Sequence, residues 1–139
     1  MSFTSLRARR PLTPLTKVTL GVSLVNALAY GSELFLLGPF DREVSIVVAC
    51  LLVASALVAT GWRWTPLLGG LLAGAIIVGN PFLLVNLSDP SAVGFFAATL
   101  VEVVSGLTAL LTGIAATIQN YRAADTELER LERRPFNDD

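Results

Sequence analysis

An acidic side chain, Glu102, interrupts the last of four long apolar stretches in this sequence of 139 residues. None of the four stretches contains Lys, Arg or His, so no basic residue within them neutralises it. Burying an ionisable group at bilayer depth costs several kcal/mol, which makes Glu102 a functional-site candidate. Two chemistries are open: a neutral, hydrogen-bonded carboxyl that only supports packing, or a carboxyl that exchanges a proton or binds a cation.

The residue types that serve most enzymes are missing. The chain has no His and a single Cys, Cys50. This excludes His-ligated haem, His-containing zinc sites and His-dependent nucleophilic catalysis. One thiol cannot close an intramolecular disulfide. The glycine-rich phosphate-binding patterns and the hydrolase pattern GxSxG are also lacking. We therefore predict a protein that is not an enzyme and that uses neither a metal nor a cofactor.

Two of the apolar stretches carry polar and small residues at helical spacing. In the first stretch these residues are Thr19, Ser23, Asn26, Tyr30 and Glu33. In the fourth they are Ala98, Glu102, Ser105, Ala109, Thr112 and Ala116. Such a face meets other helices, because apolar side chains suit the lipid side better. We expect the two faces to pack against each other.

Depth along the helices indicates which of these residues meet. At about 1.5 Å per residue, Glu102 lies about 15 Å from the start of the fourth stretch, and Asn26 lies a similar distance from the start of the first. We predict a mid-membrane polar cluster of Glu102, Asn26, Tyr30 and Ser105, in which Glu102 hydrogen-bonds Asn26 or Tyr30. Glu33 lies nearer the end of its stretch and is expected to face water or Arg42.

Glycine and proline mark the packing surfaces and one helix break. Gly70 and Gly74 form a GxxxG pattern in the third stretch, and small residues at this spacing let helices approach closely. The predicted packing residues are Gly70, Gly74, Gly106 and Gly113. A helix break is predicted at Gly79, Asn80 and Pro81, because proline cannot donate to the carbonyl four residues earlier.

Composition and periodicity predict the elements that hold these residues. The chain is 53% hydrophobic and 15% charged, with a mean hydropathy of +0.66. The stretches cover about 18–37, 44–60, 67–87 and 92–118, enough for four helices that each cross roughly 30 Å of hydrocarbon. We predict an all-α, integral membrane four-helix bundle over residues 18–118. A basic segment (1–17) precedes it and a charged tail (119–139) follows.

Capping residues agree with these bounds. Thr13, Thr65 and Asp89 each precede a proline, which suits the first position of a helix. Asp41 is a fourth predicted cap, at the start of the second helix. An alternative for the N-terminus is a signal peptide cleaved after Ala29. The apolar stretch continues to Leu37, the full length of a span, and the mass of the mature N-terminus distinguishes the two.

Basic residues predict the orientation. All but one lie in the two tails or between the second and third stretches: Arg7, Arg9, Arg10, Lys17, Arg63, Arg122, Arg130, Arg133 and Arg134. Only Arg42 lies in a loop on the other side. The positive-inside rule then puts both termini in the cytoplasm of a prokaryotic inner (plasma) membrane. The fourth helix is expected to extend into the cytoplasm, because nothing breaks it before Pro135.

The missing catalytic groups and short loops favour an accessory, assembly or structural subunit that acts through helix packing. The alternative is a small oligomeric transporter or channel, coupled to protons or cations, that uses Glu102. Expected partners are the lipid bilayer and either further copies of the chain or a larger membrane complex. Neither tail has the basic and aromatic character of a nucleic-acid-binding segment, so we expect no nucleic acid partner.

Overall fold

The protein folds into α-helices over the residues that a computed structural model describes, 12–37 and 41–132. These are α1 (Pro14–Leu37), α2 (Arg42–Ala59), α3 (Thr65–Gly79), α4 (Leu83–Ser88) and α5 (Val93–Glu132). No strand occurs within the described ranges, and the predicted all-α helical bundle is confirmed. The basic cluster at Arg7, Arg9 and Arg10, the loop at 38–40, and Arg133 and Arg134 lie outside the described residues.

Three of these helices, α1, α2 and α5, are long and apolar enough to cross a membrane. They indicate a membrane-embedded protein. The third predicted span, 67–87, differs from the expectation because it is divided into α3 and α4. With 15 residues, α3 is about 22 Å long, shorter than the roughly 30 Å of hydrocarbon. The division falls at Asn80, Pro81 and Phe82, where proline removes a backbone donor.

Polar and small side chains lie inside the bundle, and large apolar side chains lie on its outside. Helix α5 packs along both α1 and α3. Helix α2 also contacts α1 and α3. The buried face of α1 consists largely of polar and small residues: Thr16, Thr19, Ser23, Asn26, Ala27, Ala29, Tyr30 and Glu33. Large apolar side chains point outward, among them Phe35 (91% exposed) and Val78 (89% exposed). This pattern is typical of helices packed in lipid, where apolar side chains gain nothing from burial.

Two of the predicted caps form. The Thr13 hydroxyl accepts a hydrogen bond from the Thr16 amide (3.3 Å) at the start of α1. The Asp41 carboxylate accepts one from the Val44 amide (2.9 Å) at the start of α2. Both interactions satisfy backbone donors that a helix start leaves unpaired.

The other two capping residues act differently. Thr65 lies inside α3 and its hydroxyl donates to the Trp62 carbonyl (2.9 Å), because the helix begins one residue earlier than predicted. Asp89 forms a turn before α5, and its carboxylate accepts hydrogen bonds from the Ser91 amide and hydroxyl. Those hydrogen bonds hold the pKa of Asp89 below its usual value, since they stabilise the charged form.

Asn120 ties three elements together at one end of the bundle, which we call the terminal end. The Thr13 hydroxyl donates to the Asn120 side-chain carbonyl (3.4 Å). The Asn120 amide donates to the Arg63 carbonyl (3.4 Å) in the loop between α2 and α3. Gly61 turns the chain into that loop with a φ of 75°, a conformation that favours glycine. The opposite end, with Asp41 and Asp89, is called the cavity end.

Candidate functional site

The polar faces of α1 and α5 meet, and they bring the predicted cluster together. Asn26, Tyr30, Glu102 and Ser105 are all buried, with Asn26 at 0% and Glu102 at 1% exposure. Asn26 packs against Gly106, where a Cβ atom would lie only 2.9 Å from the Asn26 amide nitrogen. The missing side chain at Gly106 therefore makes room for the Asn26 amide between the two helices.

Glu102 lies beside the Tyr30 hydroxyl and the Glu33 carboxyl. Neither carboxyl oxygen of Glu102 has a partner with full hydrogen-bond geometry among the described residues. Of the two predicted partners, Tyr30 lies beside Glu102 and Asn26 does not bond to it; both polar atoms of the Asn26 side chain lack a partner within that set. The reason is axial position: Asn26 packs at Gly106, one helical turn along α5 from Glu102. The Ser105 hydroxyl donates to the backbone carbonyls of Val101 (2.6 Å) and Glu102 (3.3 Å) rather than to the Glu102 carboxyl.

Glu33 is the functional candidate that the sequence reasoning undervalued. The expectation was an exposed side chain facing water or Arg42, whereas Glu33 is only 6% exposed and lies next to Glu102. One of its carboxyl oxygens is buried without a hydrogen-bond partner among the described residues. The signal was present in the sequence, because Glu33 follows Tyr30 by three residues on the same helix face.

The break after α3 contributes a polar side chain to the same region. Asn80 caps α3, and its side-chain carbonyl accepts a hydrogen bond from the Phe82 amide (2.9 Å). Its amide nitrogen donates to the Tyr30 hydroxyl across a longer distance of 3.5 Å. Gly79 and Pro81 flank Asn80, and all three line a cavity. The break therefore places an irregular segment against the buried tyrosine.

That cavity, of about 750 Å³, lies at the end of the bundle where α1 and α3 finish and α2 begins, and its lining includes Glu33 of the carboxyl pair. Its lining includes three acidic side chains and no basic one within the part of the chain that the structure describes. Glu33 is buried, whereas Asp41 is half-buried and Glu43 is exposed. The polar side chains that line it are Tyr30, Glu33, Asp41, Glu43, Asn80 and Asn86. The described lining therefore offers a ligand carboxyl groups and neutral polar groups, and no basic group.

Much of the remaining cavity wall is apolar. These residues come from α1, α2, α3, the start of α4 and α5: Leu37, Val44, Val47, Ile76, Phe82 and Phe95. A hydrogen bond from the Asn86 amide to the Thr99 hydroxyl (3.0 Å) fixes α4 on α5 beside this wall. The site thus combines an apolar wall with a few polar groups, as small-molecule sites do.

The predicted packing glycines lie where α3 and α5 approach each other. A Cβ atom on Gly70 would lie 2.7 Å from the Ala109 carbonyl oxygen, and one on Gly74 would lie 3.2 Å from the Leu110 side chain. A Cβ on Gly113 would collide with the Pro66 carbonyl. All of these contacts are within one chain, so the small-residue surfaces are occupied inside the bundle.

No group of three or more Asp, Glu, Cys or His side chains in residues 12–37 and 41–132 is arranged to hold a metal ion. No protein family, curated protein or solved structure matches the chain. The carboxyl pair and the cavity beside it are therefore the observations on which a functional conclusion rests.

Proposed function

We propose that the protein is a small membrane transporter in which Glu102 and Glu33 exchange a proton for a cation that enters through the cavity. One observation carries this proposal: two buried carboxyls lie side by side, and one of them, Glu33, lines a cavity with no basic residue in its described lining. Buried ionisable groups of membrane helices typically mark ion and proton pathways.

Electrostatics gives the exchange its physical basis. Two adjacent carboxylates in an apolar site repel each other, so the empty pair is expected to hold a proton. A cation in the cavity compensates the second negative charge, and the proton then leaves along the cavity to water. Tyr30 and, near the mouth, Asp41 are the other titratable groups that act on this pair. Loss of the cation reverses the step, and the carboxyl takes a proton back.

The packing surfaces support this proposal over the accessory subunit favoured by the sequence. That interpretation relied on small-residue faces that meet a partner. Gly70, Gly106 and Gly113 face other helices of the same chain instead. Their role in the bundle explains them without a second protein.

We further propose that both termini are cytoplasmic and that the cavity opens on the outer side of a prokaryotic plasma membrane. The support is the distribution of basic residues, with Arg63 and Arg122 at the terminal end and the acidic Asp41 and Asp89 at the other. Trp62 and Trp64 flank Arg63 and are exposed, as expected of an aromatic belt at the inner interface.

The test is proton movement in proteoliposomes that contain a pH-sensitive dye. Na⁺, K⁺, Mg²⁺, tetramethylammonium and tetraphenylphosphonium are added outside in turn, with the membrane potential clamped. We expect at least one of these cations to raise the internal pH as it enters and protons leave. Glu102→Gln and Glu33→Gln keep the size of the side chain but cannot release a proton, so each should slow the exchange at least tenfold.

Glu129→Gln is the matched control, since it removes one negative charge from the exposed far part of α5. Its exchange rate should equal that of the unmodified protein. Proton movement that is absent with every cation, or equally fast in Glu102→Gln, would overturn the proposed function.

A further inference from the structure

The shape of the cavity restricts which cation it can take. Its volume of about 750 Å³ falls in the range of roughly 300–1,000 Å³ of small-molecule sites and far exceeds a bare ion. A desolvated inorganic cation needs several oxygen ligands, six to eight in the case of Ca²⁺. The described residues offer no group of three acidic side chains in such an arrangement. The volume therefore fits an organic cation better than a metal ion.

The acidic side chains of the cavity lining indicate that the ligand carries a positive charge. Glu33 is more than nine-tenths buried, lines the cavity and has a carboxyl oxygen without a hydrogen-bond partner in the described chain. A buried polar atom without a partner is costly, so a ligand that supplies positive charge there is favoured. Glu43 adds negative charge at the exposed part of the lining.

The rest of the cavity lining can contact apolar groups of a ligand. Val47 and Ile76 provide aliphatic contact, and Phe82 and Phe95 provide aromatic rings. An aromatic ring within about 6 Å of a cation attracts it through its quadrupole. A small hydrated ion makes no favourable contact with these side chains. A cation with apolar substituents, in contrast, buries those substituents against them.

Part of the cavity lining is apolar and exposed. Leu37 and Phe82 both line the cavity, and they are 52% and 62% exposed. Val85, close by on α4, is 60% exposed. Exposed apolar side chains beside the cavity favour a ligand that has apolar groups of its own.

We propose that the ligand is an amphiphilic organic cation, with a positively charged centre beside Glu33 and apolar or aromatic groups against Phe82 and Phe95. This identifies the chemical class of the cation and rests on the proposed function. The centre keeps its charge throughout, so only the carboxyl proton is exchanged.

Equilibrium binding to the full chain in lipid nanodiscs tests this ligand class. Three probes separate charge from apolar character. Tetraphenylphosphonium carries both, tetraphenylborate has the same four-phenyl shape with the opposite charge, and tetramethylammonium has the charge without the rings. After subtraction of empty nanodiscs, we expect tetraphenylphosphonium to bind at least tenfold more tightly than either of the others.

Two variants test the two halves of the site independently. Glu33→Gln removes the charge, and Phe95→Leu removes the ring but keeps an apolar side chain. We expect each to weaken tetraphenylphosphonium binding at least fivefold. The matched controls are Glu129→Gln and Phe96→Leu, at residues that do not line the cavity, and these should bind as the unmodified protein does.

The outcomes are distinct. Equal binding of tetraphenylborate, or binding unchanged in both Glu33→Gln and Phe95→Leu, shows adsorption to apolar surface and overturns the ligand class. Proton exchange with Na⁺ or K⁺ but no tetraphenylphosphonium binding overturns the ligand class and leaves the proposed function standing. Charge-selective binding without proton movement for any cation supports the ligand class and overturns the exchange.

Discussion

Buried polar side chains without a partner are concentrated in one part of the bundle. Among the described residues, Asn26, Glu33 and Glu102 carry five of the seven buried polar side-chain atoms with no hydrogen bond, and Ser23 and Thr117 carry the other two. Each such atom lowers stability, typically by about 1–3 kcal/mol. Those on Asn26, Glu33 and Glu102 lie in adjacent turns of the facing helices α1 and α5, and Glu33 also lines the cavity. Function accounts for this concentration more readily than packing does, because apolar side chains of the same size would pack without the penalty.

Asn26→Leu tests this at the level of a single residue. The two side chains have similar shape, and leucine removes an amide that has no partner in the described structure. We expect the free energy of unfolding to stay the same or to rise by about 1 kcal/mol. The measurement is a denaturant titration in detergent, followed by circular dichroism.

Thr99→Val provides the contrast, since Thr99 is fully buried and accepts the hydrogen bond from Asn86. Valine preserves the shape and leaves the Asn86 amide unpaired, so a loss of about 0.5–1 kcal/mol is expected. Thr99→Ser keeps the acceptor and should recover most of that loss. A larger loss in Asn26→Leu than in Thr99→Val would show that the Asn26 amide has a partner in the membrane.

The sequence predicted the membership of this cluster but not its contacts. Helical spacing determines which residues share a face, so Asn26, Tyr30 and Glu102 were found. It does not determine how far one helix slides along the other, and one turn decides whether Asn26 meets Glu102 or Gly106. The burial of Glu33 was not predicted because its depth was counted along α1 alone. Its burial comes from the neighbouring helices and the cavity wall.

At the level of elements, the contact between α3 and α5 depends on glycines. Both backbones approach so closely at Gly70 that an added Cβ would meet the Ala109 carbonyl oxygen at 2.7 Å and the Leu110 Cα at 3.1 Å. Backbone atoms cannot rotate aside as a side chain can. The GxxxG pattern predicted close packing, but the sequence did not indicate whether the second helix was in the same chain.

Gly70→Ala should therefore separate α3 from α5. We expect a loss of about 1–3 kcal/mol in the free energy of unfolding, the usual range for overpacking a tight contact. Gly21→Ala in α1 is the matched control, because no atom lies within 4 Å of its added Cβ. Its stability should be unchanged or slightly raised, since alanine is the better helix former. Equal effects of the two substitutions would contradict the packing described for α3 and α5.

The divided third segment is the element that sequence patterns located only in part. Pro81 and Asn80 marked a break, but the apolar residues on either side formed one continuous stretch. Hydropathy therefore treated 67–87 as a single span, although the backbone changes direction at Asn80, whose ψ is 104°. Local chemistry identified the position of the break, and tertiary contacts of Asn80 and Asn86 determine where the chain goes next.

At the scale of the whole molecule, the two ends of the bundle differ in character. The terminal end holds Arg63 and the hydrogen bonds of Asn120, whereas the cavity end holds the carboxyl groups and the opening. Such an asymmetric bundle has a defined direction across a bilayer. The direction that we propose puts the cavity on the outer side.

Cysteine labelling tests that direction. With Cys50 replaced by alanine, Ser91→Cys lies at the cavity end and Thr126→Cys lies beyond the terminal end of α5; both positions are exposed. A maleimide that cannot cross membranes should label Ser91→Cys in intact cells and Thr126→Cys only after permeabilisation. The physical reason is the excess of basic residues at the terminal end, which are retained in the cytoplasm. The reverse labelling pattern would place the cavity inside the cell.

Helix α5 runs without interruption for 40 residues, a length of about 60 Å, or twice the thickness of the hydrocarbon. Glu102 lies in the same continuous rod as the far tip at Glu132, about 45 Å away. A tilt of about 5° at Glu102 would sweep that tip sideways by about 4 Å. The helix that carries the buried carboxyl therefore converts a small angular change at the site into a larger displacement at its far end.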